Sequence, residues 1–144
     1  MDADPPKPVI DLSDRQGLTV HHRPLLELAE QTLAGEGIVD AELSVSLVTA
    51  EEMTELHERY MGESHPTDVL SFPLDEPTPD GGPHLLGDVV ICPEVAASQN
   101  KDLDAEMRLL LVHGILHLLG YDHEAEEDRA RMWERQEAYS GVRA

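Results

Sequence analysis

Residues 104–123 read DAEMRLLLVHGILHLLGYDH, and they form the most informative segment of the chain. Apolar residues fill positions 109–112 and return at 115–116, which leaves almost no polar face on a helix. Helices on the surface of a domain keep one polar side, so this pattern predicts a buried central helix. We expect Asp104 to cap this helix and the helix to run to Leu119.

Two histidines interrupt the apolar run of the central helix. His113 and His117 are four residues apart, so on a helix they lie on one face about one turn from each other. Gly120 stands where the helix should end, and a glycine there can take the left-handed conformation that reverses the chain. That reversal brings His123 back over the same face, so the three histidines are predicted to converge.

A convergent group of three histidines is typical of a catalytic metal site. A single histidine on an apolar helix is usually a core residue whose ring nitrogens are satisfied. Three buried rings need a partner for every nitrogen, and one metal ion supplies a partner to all three. Three neutral nitrogens at ~2.0–2.1 Å, with the fourth position open to water, form the pattern of catalytic zinc. Imidazole also suits nickel, cobalt and copper, so the sequence predicts one divalent ion, with zinc as the expected one.

The same spacing matches the long zinc-peptidase signature H-E-x-x-H-x-x-G-x-x-H with one departure. The position after the first histidine holds Gly114, where a peptidase has a glutamate that serves as general base. Without that carboxylate, peptide hydrolysis lacks its standard means of activating water. The sequence therefore disfavours a metallopeptidase, although the three histidines keep the spacing of a peptidase's metal ligands.

Outside this stretch, strand and helix patterns mix along the chain. Residues 41–48 alternate apolar and polar side chains, which predicts a half-buried strand. Thr49 and Glu52 form a capping-box pattern that opens a helix to about Tyr60, with Met53, Leu56 and Tyr60 facing inward. The other predicted elements are a strand end and turn over 11–18, helices over 24–34, 93–100 and 125–139, and strands over 69–72 and 85–92, the last interrupted at Gly87–Asp88. They predict one α/β or α+β domain over residues 1–144 with a small sheet, preceded by a flexible stretch 1–8 that holds three prolines.

The composition excludes several classes of protein. The 144 residues include 10 Lys and Arg against 30 Asp and Glu, so the net charge of −20 gives no general basic surface for nucleic acid. A role on RNA must then rest on a small local site, a metal or a partner. No apolar run reaches the ~20 residues that span a bilayer. The first residues lack the features of a signal peptide, and the single cysteine, Cys92, cannot form an internal disulfide, so we expect a reducing cytoplasm.

Three segments together resemble one known family. Residues 113–123, HGILHLLGYDH, resemble the signature of the YbeY family of bacterial rRNA maturation factors, which are metal-dependent endoribonucleases. Residues 66–73, PTDVLSFP, and residues 86–92, LGDVVIC, resemble two further segments of that family in the same order. The resemblance runs from about Leu43 to the last helix and is far more specific than a bare H-x-x-x-H.

The resemblance implies a small mixed sheet covered by helices and a zinc ion on His113, His117 and His123. It also implies action on single-stranded RNA during 3′-end maturation of small-subunit rRNA and a role in ribosome quality control. A ribosomal subunit or ribosomal protein is the implied partner, which would also bring so acidic a chain to its RNA. Many relatives carry a catalytic arginine directly after the tyrosine at the position of Met61. Arg59 lies two residues earlier, roughly 200° around a helix, so its taking over that function is a hypothesis.

Each of the other candidate residues could instead have an ordinary structural role. Asp122 and Asp68 could accept a proton or orient a ligand histidine, or be ordinary carboxylates of a turn and a strand end. Arg59, Lys101 and Arg108 could contact phosphate, although each is outnumbered by acids with which it can pair. Ser71 could bind substrate or serve the structure. Cys92 is expected to be a small buried residue and Trp133 the anchor of the last helix.

The sequence leaves both the chemistry and the function open to alternatives. The 2′-hydroxyl of RNA can itself attack the phosphorus with a metal stabilising the charge, or a metal-activated water can attack. A metal-stabilised ribosome assembly factor that does not cut RNA is the main alternative function, and Met61 in place of arginine favours it. A metallopeptidase is the third.

Overall fold

The computed structural model describes residues 7–76, 84–121 and 126–142. Within these residues strands and helices alternate along the chain, and the predicted elements are confirmed to within a few residues at their ends. In chain order they are β1 (Val9–Asp14), α1 (His22–Gly35), β2 (Ala41–Leu47), α2 (Ala50–Met61), β3 (Val69–Glu76), β4 (His84–Ile91), α3 (Pro93–Gln99), α4 (Leu103–Leu118) and α5 (Glu126–Ser140). Of the stretch 1–8 that was expected to be flexible, residues 1–6 lie outside the described part of the chain.

The strands form a four-stranded mixed sheet in the order β1-β2-β4-β3. β1, β2 and β4 run parallel, and β3 pairs antiparallel with β4 at one edge. Along β2 the residues Ala41, Leu43, Val45 and Leu47 are buried and alternate with more exposed positions, as the period-2 pattern predicts. The α/β (α+β) class with a small mixed sheet covered by helices is therefore confirmed.

α4 is the buried central helix that the apolar run predicts. Leu111, Val112, Ile115 and Leu116 are at most 1% exposed, and burying each such side chain contributes about 1.5–3 kcal/mol to folding. The helix packs against α1, α5 and the β3–β4 edge of the sheet. This position fixes every side chain on α4 relative to β3 and α5.

Gly114 marks the point where α4 lies directly on the sheet. A Cβ atom added there would lie 2.6 Å from Val89 Cγ1 and 3.3 Å from Ser71 Oγ. Real Cβ atoms do not approach other atoms as closely as 2.6 Å, so any larger residue must displace either the buried Val89 side chain or the helix itself. The absence of the peptidase glutamate at this position is thus a requirement of packing.

The start of α4 differs from the prediction. The helix begins at Leu103, and Asp102 caps it by accepting a hydrogen bond from the backbone N–H of Ala105 at 3.1 Å. Asp104, the predicted cap, lies inside the first turn and faces His21 at 3.4 Å. Both aspartates suit a helix start, and only the backbone conformation decides which one lies at the boundary.

Three further expectations were wrong in detail. Tyr60 is 58% exposed, because Met53 and not the end of α2 packs into the core, although its ring contacts Phe72. Trp133 is 50% exposed and does not anchor α5, whose buried residues Met132, Gln136 and Ser140 follow one another every four positions. β4 continues through Gly87, which adopts φ +134° at a register shift against β2 instead of interrupting the strand.

Among the described residues, no helix combines the length and the apolar character needed to cross a membrane.

Candidate metal centre and its surroundings

The structure brings His113 and His117 together on one face of α4. Their Nε2 atoms lie 3.1 Å apart, and the ring centroids are separated by 4.6 Å. Two ligands of a tetrahedral zinc ion at about 2.05 Å lie about 3.3 Å apart, so this pair fits one shared ion. The same separation also suits an N–H···N hydrogen bond between the two rings. In either case the two Nε2 atoms face each other on the same side of α4.

α4 ends in the glycine reversal that the sequence predicts. Gly120 has φ +97°, its N–H donates to the carbonyl of His117, and Tyr121 donates to the carbonyl of Leu116. These two bonds form a Schellman motif, which turns the chain sharply after the helix. The predicted third ligand, His123, and the candidate Asp122 lie outside the described residues. Within the described residues, no group of three or more histidine, cysteine or acidic side chains gathers into a cation site.

Gln136 of α5 contacts the first histidine from behind. Its Oε1 accepts a hydrogen bond from His113 Nδ1 at 2.7 Å, and the side chain is buried. Sequence reasoning missed this residue, because α5 is strongly polar and gives little sign of which face turns inward. The only available signal is its spacing of four residues from the apolar Met132.

An open cleft of about 320 Å³ lies beside the two histidines. Its walls come from the end of α2 and from β3, and are mostly apolar: Met61, Val69, Leu70, Ser71 and Pro73. Ser71 Oγ donates to the carbonyl of Gly114 at 3.0 Å, so this serine ties β3 to α4 beside the histidines. The volume lies within the ~300–1,000 Å³ range of small-ligand sites, which is enough for part of a nucleotide.

The candidate cations lie elsewhere. Arg59 lines a separate hollow with four other polar residues of α2 and its cap, whereas Met61 lines the histidine cleft. Arg108 donates to the carbonyl of Ser140 at 3.3 Å, and Lys101 is exposed in the turn before α4. Of these three cations, none lines the histidine cleft in the part of the chain that the structure describes.

The contacts of Asp68 and the burial of Cys92 are those of residues that stabilise the fold. Asp68 Oδ1 accepts a hydrogen bond from the N–H of Val69 at 2.8 Å at the start of β3. In the amide orientation that satisfies both of its polar atoms, the Gln99 nitrogen donates to Asp68 Oδ2 at 3.3 Å and to the buried Glu106 at 2.9 Å. Cys92 is fully buried, and burial raises the pKa of its thiol, as expected for a small core residue.

A buried carboxylate joins the ends of three helices near the reversal. Glu36, just after α1, accepts hydrogen bonds from the hydroxyls of Tyr121 and Tyr139, each at 2.5 Å, and from Arg135 at 3.3 Å. Its side chain is only 8% exposed. Gly35 makes room for this cluster, because a Cβ there would lie 2.5 Å from the Tyr139 ring. Tyr121 is two residues before His123, so the cluster fixes the chain where it leaves α4.

The cluster makes stability sensitive to alkaline pH. Burial and the bond to Glu36 raise the pKa of Tyr139 above its ordinary value near 10. The unfolded chain therefore loses this proton first, so the stabilisation is complete below pH 10 and is lost as the pH rises through the higher folded value. We expect the free energy of unfolding, measured with urea, to fall less between pH 8 and pH 10.5 in Tyr139→Phe than in the wild type. The unfolding free energy of Tyr60→Phe, whose tyrosine lies outside the cluster, should fall as much as that of the wild type. An equal fall in all three proteins would contradict a stabilising role for the Tyr139 proton.

Comparison with known proteins agrees with this architecture. The model of a family described as Endoribonuclease YbeY matches residues 12–141. The chain is 44% identical over 142 aligned residues to the Endoribonuclease YbeY of Streptomyces coelicolor, covering 90% of this chain and 86% of that protein. It is 48% identical to the protein of the same name from Acidothermus cellulolyticus, covering 85% and 82% of the two chains. The solution structure of TM1509 from Thermotoga maritima superposes with a TM-score of 0.59 at 32% identity, covering 92% of this chain and 87% of that one.

Proposed function

Because the chain belongs to the Endoribonuclease YbeY family, we propose that it is a metal-dependent endoribonuclease that cuts single-stranded RNA. The substrate we propose is the 3′ end of precursor small-subunit rRNA in the cytoplasm, with a further role in ribosome quality control. The observation that carries the proposal is the convergence of His113 Nε2 and His117 Nε2, 3.1 Å apart, beside an open cleft.

The residues present fit one divalent ion. His113 and His117 would hold it through Nε2, and His123 is the proposed third ligand. When bound, an ion such as zinc polarises a phosphoryl oxygen and absorbs the negative charge that develops as the phosphodiester breaks. Imidazole ligands suit this role because they stay neutral and leave the positive charge on the ion.

The residues around the histidines suit a nucleotide better than a peptide. Met61, Val69 and Pro73 give the cleft apolar walls that can receive a base. Gly114 brings α4 against Val89 and leaves no room for a carboxylate that would activate water. RNA does not need that carboxylate, since its own 2′-hydroxyl can attack the phosphorus.

Two routes of cleavage leave different ends on the RNA. In the first, the 2′-oxygen bonds to phosphorus, the bond to the 5′-oxygen breaks, the 2′-hydroxyl proton leaves, and the 5′-oxygen gains a proton, which yields a 2′,3′-cyclic phosphate. In the second, a water oxygen bonds to phosphorus, the bond from phosphorus to the leaving ribose oxygen breaks, and that oxygen gains the proton that water loses, which yields a linear phosphate. Arg59 lies in another hollow, so we do not assign it the phosphate contact.

The charge of the chain supports a partner. At a net charge of −20 the protein repels RNA at long range, and unaided binding should be weak. The acidic residues Glu51 and Glu55 of α2 are exposed and available to a basic surface, whereas Glu52 pairs with Arg15. We propose that a ribosomal subunit or a basic ribosomal protein brings the enzyme to the RNA.

The test is cleavage of labelled RNA spanning the 3′ end of precursor small-subunit rRNA. The strand is used alone and annealed to its complement, with zinc or with chelator, and with or without small ribosomal subunits. We expect zinc-dependent cutting of the single strand, and analysis of the new ends identifies the route. A zinc-loaded protein that cuts nothing even with subunits would instead favour the assembly factor, which Met61 in the cleft also favours. Cutting of a generic peptide would favour the metallopeptidase.

A further inference from the structure

We propose that Gln136 is a positioning residue that fixes which nitrogen of His113 is available to a metal. The inference rests on the proposed metal site and adds to it a residue that lies on a different helix. Gln136 is 4% exposed, and its Oε1 accepts the hydrogen bond from His113 Nδ1 at 2.7 Å.

The chemistry of a neutral imidazole makes this contact decisive. The ring carries one N–H, and a hydrogen bond from that N–H to an amide oxygen places the proton on Nδ1. The other nitrogen, Nε2, then carries the lone pair, and Nε2 is the atom directed at His117. Partners of this kind, which hold the second nitrogen of a metal-binding histidine, typically change metal affinity by ~10–100-fold when removed.

The packing of α5 holds the glutamine in place. Met132, one turn earlier, is fully buried against the core. Ser140, one turn later, donates its hydroxyl to the backbone carbonyl of Gln136 at 2.6 Å. The amide is therefore presented to His113 by a helix that is fixed on both sides.

Two substitutions separate positioning from packing. Gln136→Met has nearly the same length but removes the acceptor, and we expect the zinc dissociation constant to rise about 10–100-fold. Gln136→Glu keeps an oxygen acceptor, and we expect zinc affinity within about threefold of the wild type or tighter, as in carboxylate–histidine–zinc triads. If Gln136 had only a structural role, Gln136→Met should keep more zinc affinity than Gln136→Glu, because methionine suits a buried position and an isolated carboxylate does not.

Zinc affinity is measured by competition with a chromogenic chelator, without RNA, and the stability of each metal-free protein by urea unfolding. Glu134→Met is the matched control, because it places the same methionine at an exposed position of α5 away from this contact, and it should leave zinc affinity unchanged. The inference is overturned if folded Gln136→Met binds zinc as the wild type does, or if Gln136→Glu loses as much affinity as Gln136→Met. A wild type that binds no zinc would contradict the proposed metal site itself.

If a variant does not fold, a measurement on the wild type tests the inference instead. Long-range ¹H–¹⁵N correlation spectra of the metal-free protein report which nitrogen of each histidine carries the proton. We expect His113 to be protonated at Nδ1, and protonation at Nε2 alone would overturn the inference.

Discussion

Replacing His117 with alanine is expected to abolish RNA cleavage and to remove the bound ion. His117 Nε2 is one of the two nitrogens that converge at 3.1 Å, so its loss leaves at most two of the three proposed ligands. A metal that polarises the phosphate supplies several kcal/mol to the transition state, and ~4 kcal/mol corresponds to a rate loss of about 10³-fold. Zinc content by elemental analysis and the rate of cutting of the labelled precursor RNA measure the two effects.

His57→Ala is the matched control for this variant. His57 lies on α2, and its Nδ1 donates to the carbonyl of His65 at 2.8 Å, away from the paired histidines of α4. We expect it to keep the zinc content and the cleavage rate of the wild type. If His117→Ala retained both its zinc and its cleavage rate, the two histidines would not share an ion and the proposed function would lose its basis.

Replacing Gly114 with glutamate is expected to have the largest effect on stability. The new Cβ would lie 2.6 Å from Val89 Cγ1, and the carboxylate would be placed between α4 and the sheet. Overpacking costs about 1–3 kcal/mol, and an unpaired buried carboxylate adds at least a comparable amount. We expect a loss of more than about 4 kcal/mol in the free energy of unfolding by urea, a large part of the ~5–15 kcal/mol of an ordinary domain.

Gly17→Glu makes the same chemical change where there is space. Nothing lies within 4 Å of a Cβ at this position. We expect its unfolding free energy within about 0.5 kcal/mol of the wild type, as for most surface substitutions. A Gly114→Glu protein that unfolds at the same urea concentration as Gly17→Glu would show that α4 can leave the sheet at little cost.

Sequence patterns predicted the helices and strands well where neighbouring residues determine them. The apolar run of α4 leaves that helix almost no polar face, so it had to be buried. At the start of α2, the Thr49 side chain accepts the hydrogen bond from the backbone N–H of Glu52 that the capping pattern predicts. The spacing of His113 and His117 fixed their proximity, because helical geometry leaves no other arrangement. The 200° between Arg59 and Met61 likewise agrees with their lying in different hollows.

Features that depend on how distant helices pack could not be predicted from the sequence. Whether Trp133 or Met132 faces inward depends on the rotation of α5 about its axis, which its polar sequence leaves nearly undetermined. The contact of Gln136 with His113 depends on that same rotation. Glu36 meets Tyr121 and Tyr139 across 85 and 103 residues of chain, a distance at which no spacing rule applies.

The close contact at Gly114 also bears on how a ligand scaffold of this kind can change chemistry during evolution. The histidines have the spacing of the zinc-peptidase signature, and only the residue after the first histidine differs, which suggests that a single substitution could interconvert the two. The packing forbids that step, since Val89 and Ser71 occupy the space that the new side chain would need. Placing a glutamate after the first histidine therefore requires the contact between α4 and β4 to be repacked, so the two activities are separated by more than one substitution.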